Sequence, residues 1–335
     1  QKFKQRQWYQ TLDKLSTTLP SGVVFCYNTC MKNTHLEHPE DSILTGDLSV
    51  LDFLTARDHG VTIKWDGSPA LVWGNCPSTG QFFVGTKSVF NKVKVKVNYT
   101  HADIERNHGD GPVACILHTA LETLPRPEIG YVQGDFIGFG SGSVFRPQLV
   151  EYVFKKRFDC PIIVVPHTFY EGPFSDPVCS FGTPTEIIQE GIIDSPPVTM
   201  RYQHFILQTL KAKLIAKFSK FATPKSAAAI KTHINSYIRR KGNLPTAKVM
   251  YEELPSKYKS EVNVNLFRLY LTIYSLKMQL LRCVQDDSSW FVECFIMGEP
   301  TTHEGYVMTS NDQAYKIVDR ATFSYANFTI AKTWN

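Results

Sequence analysis

Hydrophobic and polar positions change period several times along the chain. From Asp47 to Asp58 the apolar residues recur at helical spacing, which predicts a helix with Asp47 as N-cap and Gly60 just past its end. Short β-rich runs then predict strands at 61–65, 69–74 and 81–86, with turn chemistry from Asn75 to Gly80 between the last two. Val93-Lys94-Val95-Lys96-Val97 alternates strictly, as an edge strand with one charged face does. Helical spacing returns from Pro112 to Leu124, and Pro125 stops it. Tyr131 to Ile137 reads as a strand, and Pro161 to Phe169 as a buried one built on Ile162-Ile163-Val164-Val165.

Near Pro196-Pro197 the pattern shifts. Residues 201–285 predict helices, broken at Pro224, from Gly242 to Pro245, and at Pro255. Phe267, Tyr270, Leu271, Tyr274 and Leu276 form an apolar face at helical spacing. Strand character resumes at Trp290 to Met297, Gly305 to Thr309 and Tyr315 to Val318. The expected organisation is therefore an α+β fold with antiparallel sheets, formed by 1–200 together with 286–335 and interrupted by an all-helical block at 201–285.

The composition, 43% hydrophobic and 20% charged, is that of a globular chain able to bury a sizeable core. No apolar run approaches the roughly 18 residues that span a bilayer. Gln1-Lys2-Phe3-Lys4 has no apolar core of a signal peptide and no initiator Met, so the start reads as trimmed and the setting as cytoplasmic or virus-encoded intracellular, without a membrane. The eight cysteines are scattered, Cys26 and Cys30 being the closest pair; the spacing argues against a zinc site or a disulfide framework and for reduced thiols. Asn98-Tyr99-Thr100 and Asn327-Phe328-Thr329 match the glycosylation pattern and read as chance matches. His101, His108 and His118 have no metal-ligand spacing. A monomer is the default expectation.

The net charge of +5 is concentrated. Between Arg201 and Glu261 the acids are Glu252, Glu253 and Glu261, against a long series of bases that includes Lys211, Lys217, Arg239 and Arg240. Such an excess favours a polyanionic partner, with Lys211, Lys217, Arg239 and Arg240 as candidate phosphate contacts.

The chemistry-bearing segment is Lys64-Trp65-Asp66-Gly67-Ser68, at the end of the run Val61-Thr62-Ile63 and before Ala70-Leu71-Val72-Trp73. It sets a lysine at the mouth of a hairpin, with an acid two residues on. Further along come Gly85-Thr86-Lys87-Ser88, Tyr131-Val132-Gln133-Gly134-Asp135, the hydrophobic run Ile163 to Tyr170, Glu304-Gly305-Tyr306-Val307 and Tyr315-Lys316-Ile317-Val318. In content and order these segments resemble the covalent nucleotidyltransferase superfamily, which comprises ATP-dependent DNA and RNA ligases and mRNA capping enzymes. The RNA ligase branch is the most similar. The resemblance covers about 60–170 and 300–320.

What the resemblance implies is a ligase-type nucleotidyltransferase fold with ATP-grasp-like antiparallel sheets and Lys64 as the nucleophile that forms a lysyl-AMP. Asp66, Gly67, Lys87, Asp135, Phe169, Glu304 and Lys316 would line the nucleotide site. Glu304 would ligate Mg²⁺ (or Mn²⁺), and Asp135 would hold either the metal or a ribose hydroxyl. Asp66 would orient Lys64 or a neighbouring cation, and His167 or Phe169 would stack on the base. Free lysine, with a pKa of about 10.4, is protonated at neutral pH, so such a site needs cations that favour the amine. RNA is the expected partner ahead of DNA. A GTP-dependent guanylyltransferase, a DNA ligase and a catalytically degraded nucleic-acid-binding or structural protein of the same fold are the alternatives.

The chain departs from the family's pattern in four places. Val318 stands where a second lysine is expected, with Arg320 close by. Asp135 replaces a glutamate. The helical block separates the fourth and fifth segments. About twenty residues follow Lys316, too few for the OB barrel found in DNA ligases and capping enzymes.

Overall fold

The computed structural model describes residues 31–32, 36–196, 198–201, 205–241, 244–310 and 313–324. Cys26, Cys30, Pro197, Gly242 and the Asn327 sequon lie outside the described residues. Mixed α and β structure runs through the chain in this order: β1 (Met31–Lys32), α1 (Pro39–Ser42), α2 (Ser49–Thr55), β2 (Gly60–Lys64), β3 (Ala70–Asn75), β4 (Phe82–Thr86), α3 (His101–His108), α4 (Pro112–Thr123), β5 (Tyr131–Phe145), β6 (Glu151–Glu171), β7 (Val178–Phe181) and β8 (Thr199–Met200). Then come α5 (Ile206–Lys217), α6 (Pro224–Lys241), α7 (Ala247–Glu252), α8 (Ser256–Lys259), α9 (Val264–Arg282), β9 (Val284–Gln285), β10 (Val292–Ile296), β11 (Glu299–Thr301), β12 (Gly305–Ser310) and β13 (Gln313–Val318).

Two antiparallel sheets carry the fold. The larger has the order β1-β7-β6-β5-β3-β4, with β10 added to β6 and β11 to β10; the smaller has the order β13-β12-β2. Among the described residues neither closes into a barrel. Successive strand residues point to opposite faces. On β5, Val132 and Phe136 therefore pack against Ile104, Ala114, Leu117 and Ala120 of α3 and α4, while Ile137 joins Ile63, Trp65 and Val165 on the other side. In the smaller sheet Met308, Tyr315 and Ile317 face the helices, and Thr62, Lys64, Val307 and Lys316 face away from them.

The helices expected in 201–285 are present and do not stand apart. They share one core with α2 and the small sheet: Ala212, Ile230, Ile234, Met250, Phe267, Tyr270, Ile273 and Leu280 pack with Ile43, Leu51, Phe53, Met308 and Ile317. Beneath α9 lies a buried charge cluster. Lys277 Nζ meets Glu40 Oε1 at 2.7 Å with both side chains fully buried. Arg320 Nη1 reaches Glu40 at 3.2 Å and Asp41 at 2.9 Å, and donates to the Tyr270 hydroxyl at 2.8 Å.

Several sequence expectations need correction. The helix predicted over Asp47 to Asp58 is confined to α2. Leu48 is its N-cap position, and Asp47 instead accepts from Ser49 N at 3.0 Å, holding the entry turn. The helix ends early because the ring of His59 meets the carbonyl of Phe53 at 2.8 Å, and Gly60 opens β2. Val93 to Val97 is no strand. Lys94 has φ +57°, Val93 is 76% exposed, and the neighbouring edge strand β4 accepts only Asn98, opposite Val84. The alternation there had no sheet face to bury against. β5 and β6 run well beyond the predicted segments and form a long hairpin with several register shifts. Asn98 is fully buried and donates its amide to Val84 O at 2.9 Å, which uses it structurally.

The charge cluster yields a stability prediction. Glu40→Leu strands a fully buried Lys277 and is expected to lower unfolding stability by about 3–5 kcal/mol. Glu40→Leu/Lys277→Met is expected to recover most of that loss. Urea midpoints of the two variants decide it; equal loss in both would show that the pair is not the interaction being broken.

Candidate functional site

Lys64 is the last residue of β2 and pairs with Gly305, the first of β12. Gly305 has φ +154°, and a Cβ there would come within 2.4 Å of Ile317 O, so glycine is required for β12 to lie this close to β13. The neighbouring residue Trp65 is 3% exposed, with its ring 4.8 Å from His303 and 5.0 Å from Tyr152, and it donates to Ser195 Oγ at 2.8 Å. This anchored indole fixes the backbone and leaves Lys64 on the opposite side of the strand. There Nζ makes an ion pair and hydrogen bond with Glu304 Oε2, the two side chains being 29% and 15% exposed.

Electrostatics hold Lys64 in its charged form. Burial would pull its pKa down, but Glu304, then Asp135 and Asp66, outweigh it and raise the pKa above the ordinary lysine value. Burial also raises the pKa of Glu304, opposed by Lys64 and reinforced by Asp66 and Asp135. Lys316 follows on β13, two strands away from Lys64 on the same face. Burial and then the charge of Lys64 lower its pKa. Acidic groups thus outnumber the cations immediately around Lys64.

Asp66 has a different task from the one expected. Its Oδ2 accepts from the backbone N–H groups of Leu149 at 2.8 Å and Val150 at 3.0 Å, while its own N–H donates to the Tyr152 hydroxyl at 2.6 Å. It fastens the turn after β2 to the start of β6 and acts on Lys64 only through its field. Gly67, in the link between β2 and β3, lies directly against β5: a Cβ there would be 2.6 Å from Asp135 Cβ and 2.8 Å from Phe136 O. That approach brings Asp135 to the Lys64 end of β2.

Asp135 opens onto a polar group. His167 Nε2 lies 3.8 Å from Asp135 Oδ2 and 3.4 Å from the Gln133 side chain, and the Tyr170 hydroxyl donates to Gln133 Oε1 at 3.1 Å. Phe169 is on the other face. It pairs with Val132 and packs in the cluster beneath α3 and α4, so of the two expected aromatics His167 is the one beside Asp135. A register shift between Gln133 and Gly134 turns His167 to that side. Lys87 is exposed, one position past the end of β4; Thr86 there pairs with Leu71, next to Ala70, which pairs with Asp135. Among the described residues its side chain makes no hydrogen bond or ion pair with Lys64 or Glu304.

Arg320 does not stand in for a second lysine at β13, because Glu40, Asp41, Tyr270 and Asn235 occupy its guanidinium. Lys231 of α6 is the cation that comes close instead. It pairs with Glu37 and, at 3.2 Å, with Asp41, and its charge acts on Lys316. Glu37 ties this group to the sheet, since its carbonyl accepts from Lys316 N at 3.1 Å. Lys231 was recognisable in the sequence only as one base of a basic block; no local pattern links it to a strand 85 positions later. Lys211 and Lys217 are exposed on α5 and Arg239 and Arg240 on α6, so the four expected phosphate contacts are divided between two helices. Among the described residues no group of three or more His, Cys, Asp or Glu is arranged as a metal centre, and Glu304 and Asp135 are the acids that face Lys64.

The ion pair makes a test of the resting charge possible. In Glu304→Gln the main influence raising the Lys64 pKa is gone and burial remains, so the pKa is expected to fall. The pH at which Lys64 becomes reactive towards a small anhydride should move down, because the neutral amine is the reactive form. Pulse labelling across pH with mass spectrometry of the Lys64 peptide measures it; an unchanged midpoint would refute the electrostatic account.

No curated protein and no solved structure matches the chain. The profile of the family of unknown function named DUF6267 matches residues 33–332, which takes in every strand of the small sheet and all the residues around Lys64. The chain belongs to that family.

Proposed function

We propose that this protein is an ATP-dependent polynucleotide ligase, acting on RNA, whose first step adenylates Lys64. One observation carries the reading. The Lys-Trp-Asp-Gly and Glu-Gly-Tyr-Val segments, 240 positions apart, join through the Lys64–Glu304 pair. Lys316 lies on the same face and Asp135 beside Gly67.

In this mechanism the neutral Nζ of Lys64 attacks the α-phosphorus of ATP. A P–N bond forms, the bond from the α-phosphorus to the bridging oxygen breaks, and pyrophosphate departs with the electron pair. The amine proton passes to solvent. The terminal 5′-phosphate of an RNA then attacks the lysyl-AMP, breaks the P–N bond and restores the amine. A 3′-hydroxyl attacks the resulting 5′-phosphorus, expels AMP and closes the phosphodiester.

The residues present fit this sequence of events. Lys64 rests as an ammonium and is not nucleophilic until the charge of Glu304 is compensated. Glu304 and Asp135 are hard oxygen donors that would hold Mg²⁺ (or Mn²⁺), which when bound neutralises charge on the phosphates. With Glu304 so engaged, burial favours the neutral amine. Lys316 would meet the α-phosphate and Lys231 the phosphates beyond it, which would supply a second cation where the family resemblance expects a lysine and this chain has Val318. His167, beside Asp135, is the aromatic available to the base or ribose.

The test is incubation with ATP labelled at the α-phosphate and a divalent cation, followed by denaturing electrophoresis. Label is expected on the wild-type chain and absent from Lys64→Ala. Label from GTP alone would favour the capping reaction. No label from either nucleotide on a folded chain would leave the fold as a binding protein and overturn the enzyme reading. Sealing of nicked DNA in preference to RNA would shift the substrate.

Lys316→Ala is expected to slow adduct formation by about 10²–10³-fold, the cost of removing one preorganised charge partner from a developing oxyanion. Single-turnover labelling measures it, and a change below a few-fold would remove Lys316 from the site.

A further inference from the structure

Helix α5 is packed the opposite way from an ordinary surface helix. The positions it buries are Thr209, Ala212 and Ala216, all small. Its large apolar residues point outward: Ile206 is 59% exposed, Leu207 80%, Leu210 58%, Leu214 58%, and Phe218, just past its end, 65%. At 3.6 residues per turn Leu207, Leu210, Leu214 and Phe218 share one arc of about 80°, on the side away from α9 and α2, with Ile206 set off from them by Lys217. Lys211 borders the arc on one side, and Lys213 and Lys217 on the other. No acid occurs between Phe205 and Thr223. The neighbouring Asp52 of α2 lies 3.8 Å from Lys213.

Single exposed apolar residues are ordinary, but a continuous ridge of four on one short helix calls for an occupant. A second copy is a poor one, because a two-fold pairing of α5 sets lysines against lysines. The chain's own ends carry the same sign: residues 1–30 have Lys2, Lys4, Arg6 and Lys14 against Asp13, and 325–335 have Lys332. The lysine border asks for a negatively charged surface. The ridge is a single convex helix, which can enter a soft apolar layer without a groove on the other side. Leucine and phenylalanine enter the acyl boundary, and lysine stems extend to headgroup phosphates. Among the described residues no helix is long and apolar enough to cross a membrane, so α5 would lie in the interfacial plane.

We infer that α5 seats this protein on an anionic lipid surface, with Leu207, Leu210, Leu214 and Phe218 at the acyl boundary and Lys211, Lys213 and Lys217 among the headgroups. This gives Lys211 and Lys217 a lipid partner in place of the nucleic acid expected from sequence, and it stands independently of the ligase reading.

The test uses the full chain and vesicles of phosphatidylcholine with phosphatidylserine, compared with phosphatidylcholine alone. Co-sedimentation with the anionic vesicles is expected, weakening as salt rises. Leu210→Ser/Leu214→Ser/Phe218→Ser should reduce it by at least about tenfold, and Leu207→Ser alone by less, since each buried apolar group adds to interfacial affinity. Thermal midpoints should not fall, because the altered side chains are exposed. Lys211→Glu/Lys217→Glu should also release the protein. Absence of binding to either vesicle overturns the inference, as does undiminished binding by the triple variant. A dimer in sedimentation velocity that the triple variant dissolves would also overturn it, by making the ridge a self-interface. Loss of RNA binding but not of vesicle binding in Lys211→Glu/Lys217→Glu would return these lysines to nucleic acid.

Discussion

The pairing of Lys64 with Gly305 is the contact on which the candidate site depends. It joins the end of β2 to the start of β12 across most of the chain, and on its other side Gly305 lets β13 close in, because a Cβ there would strike the carbonyl of Ile317. From that pairing the rest follows. Glu304, the residue before Gly305, meets the Lys64 ammonium. β13, on the other side of β12, delivers Lys316 to the same face. Gly67, three residues past Lys64, allows the link after β2 to touch β5 at Asp135. Two glycines in close approach therefore do for this site what long-range contacts between side chains could not do alone.

The sequence carried the site's poles better than its supports. Lys64 and Glu304 were legible because each stands in a short segment with a glycine whose absence of side chain has a local reason. Asp66 was legible as an important acid but not in its task, since its partners are backbone N–H groups of Leu149 and Val150, which have no sequence signature. Phe169 and His167 are two residues apart in a strand, and ordinary alternation puts both on one face. The register shift in the β5–β6 hairpin separates them, and bulges of that kind depend on pairing between strands. Strand positions near the site were close to expectation for a related reason: β2, β3 and β4 are bounded by turn residues. The predicted strand at Val93 to Val97 failed where alternation existed without a partner strand.

The helical block was legible in type and misleading in status. Its break points are prolines and its periodicity is clear, so helices were expected and found. That it forms one core with Ile43 to Leu54 and the back of the small sheet was not visible, because the two halves of that core are far apart in sequence. Lys277 shows why. It occupies an apolar-face position of α9, as a residue that breaks the pattern, and its partner Glu40 belongs to a four-residue helix near the other end of the chain. A buried charge of this kind contributes little net stability, while a shifted α9 would carry the cost of an unpaired Lys277.

The same cluster governs what reaches Lys316. Glu40 and Asp41 hold Nη1 of Arg320 and Asn235 holds Nη2, so the arginine nearest in sequence to β13 is withdrawn from the open face. Asp41 and Glu37 instead draw Lys231 from α6 towards that face, where it remains partly exposed. The acids around Lys64 then exceed the cations able to balance them, and the surplus keeps Lys64 protonated. A lysine held in this way is latent, its reactivity set by whatever neutralises Glu304; on the ligase reading proposed above, a polyphosphate with its counter-ion would do so and would be held by Lys316 and Lys231. On that reading the resting ion pair gates the nucleophile and is not a device for stability, since the attraction within a largely buried pair is mostly offset by its desolvation cost.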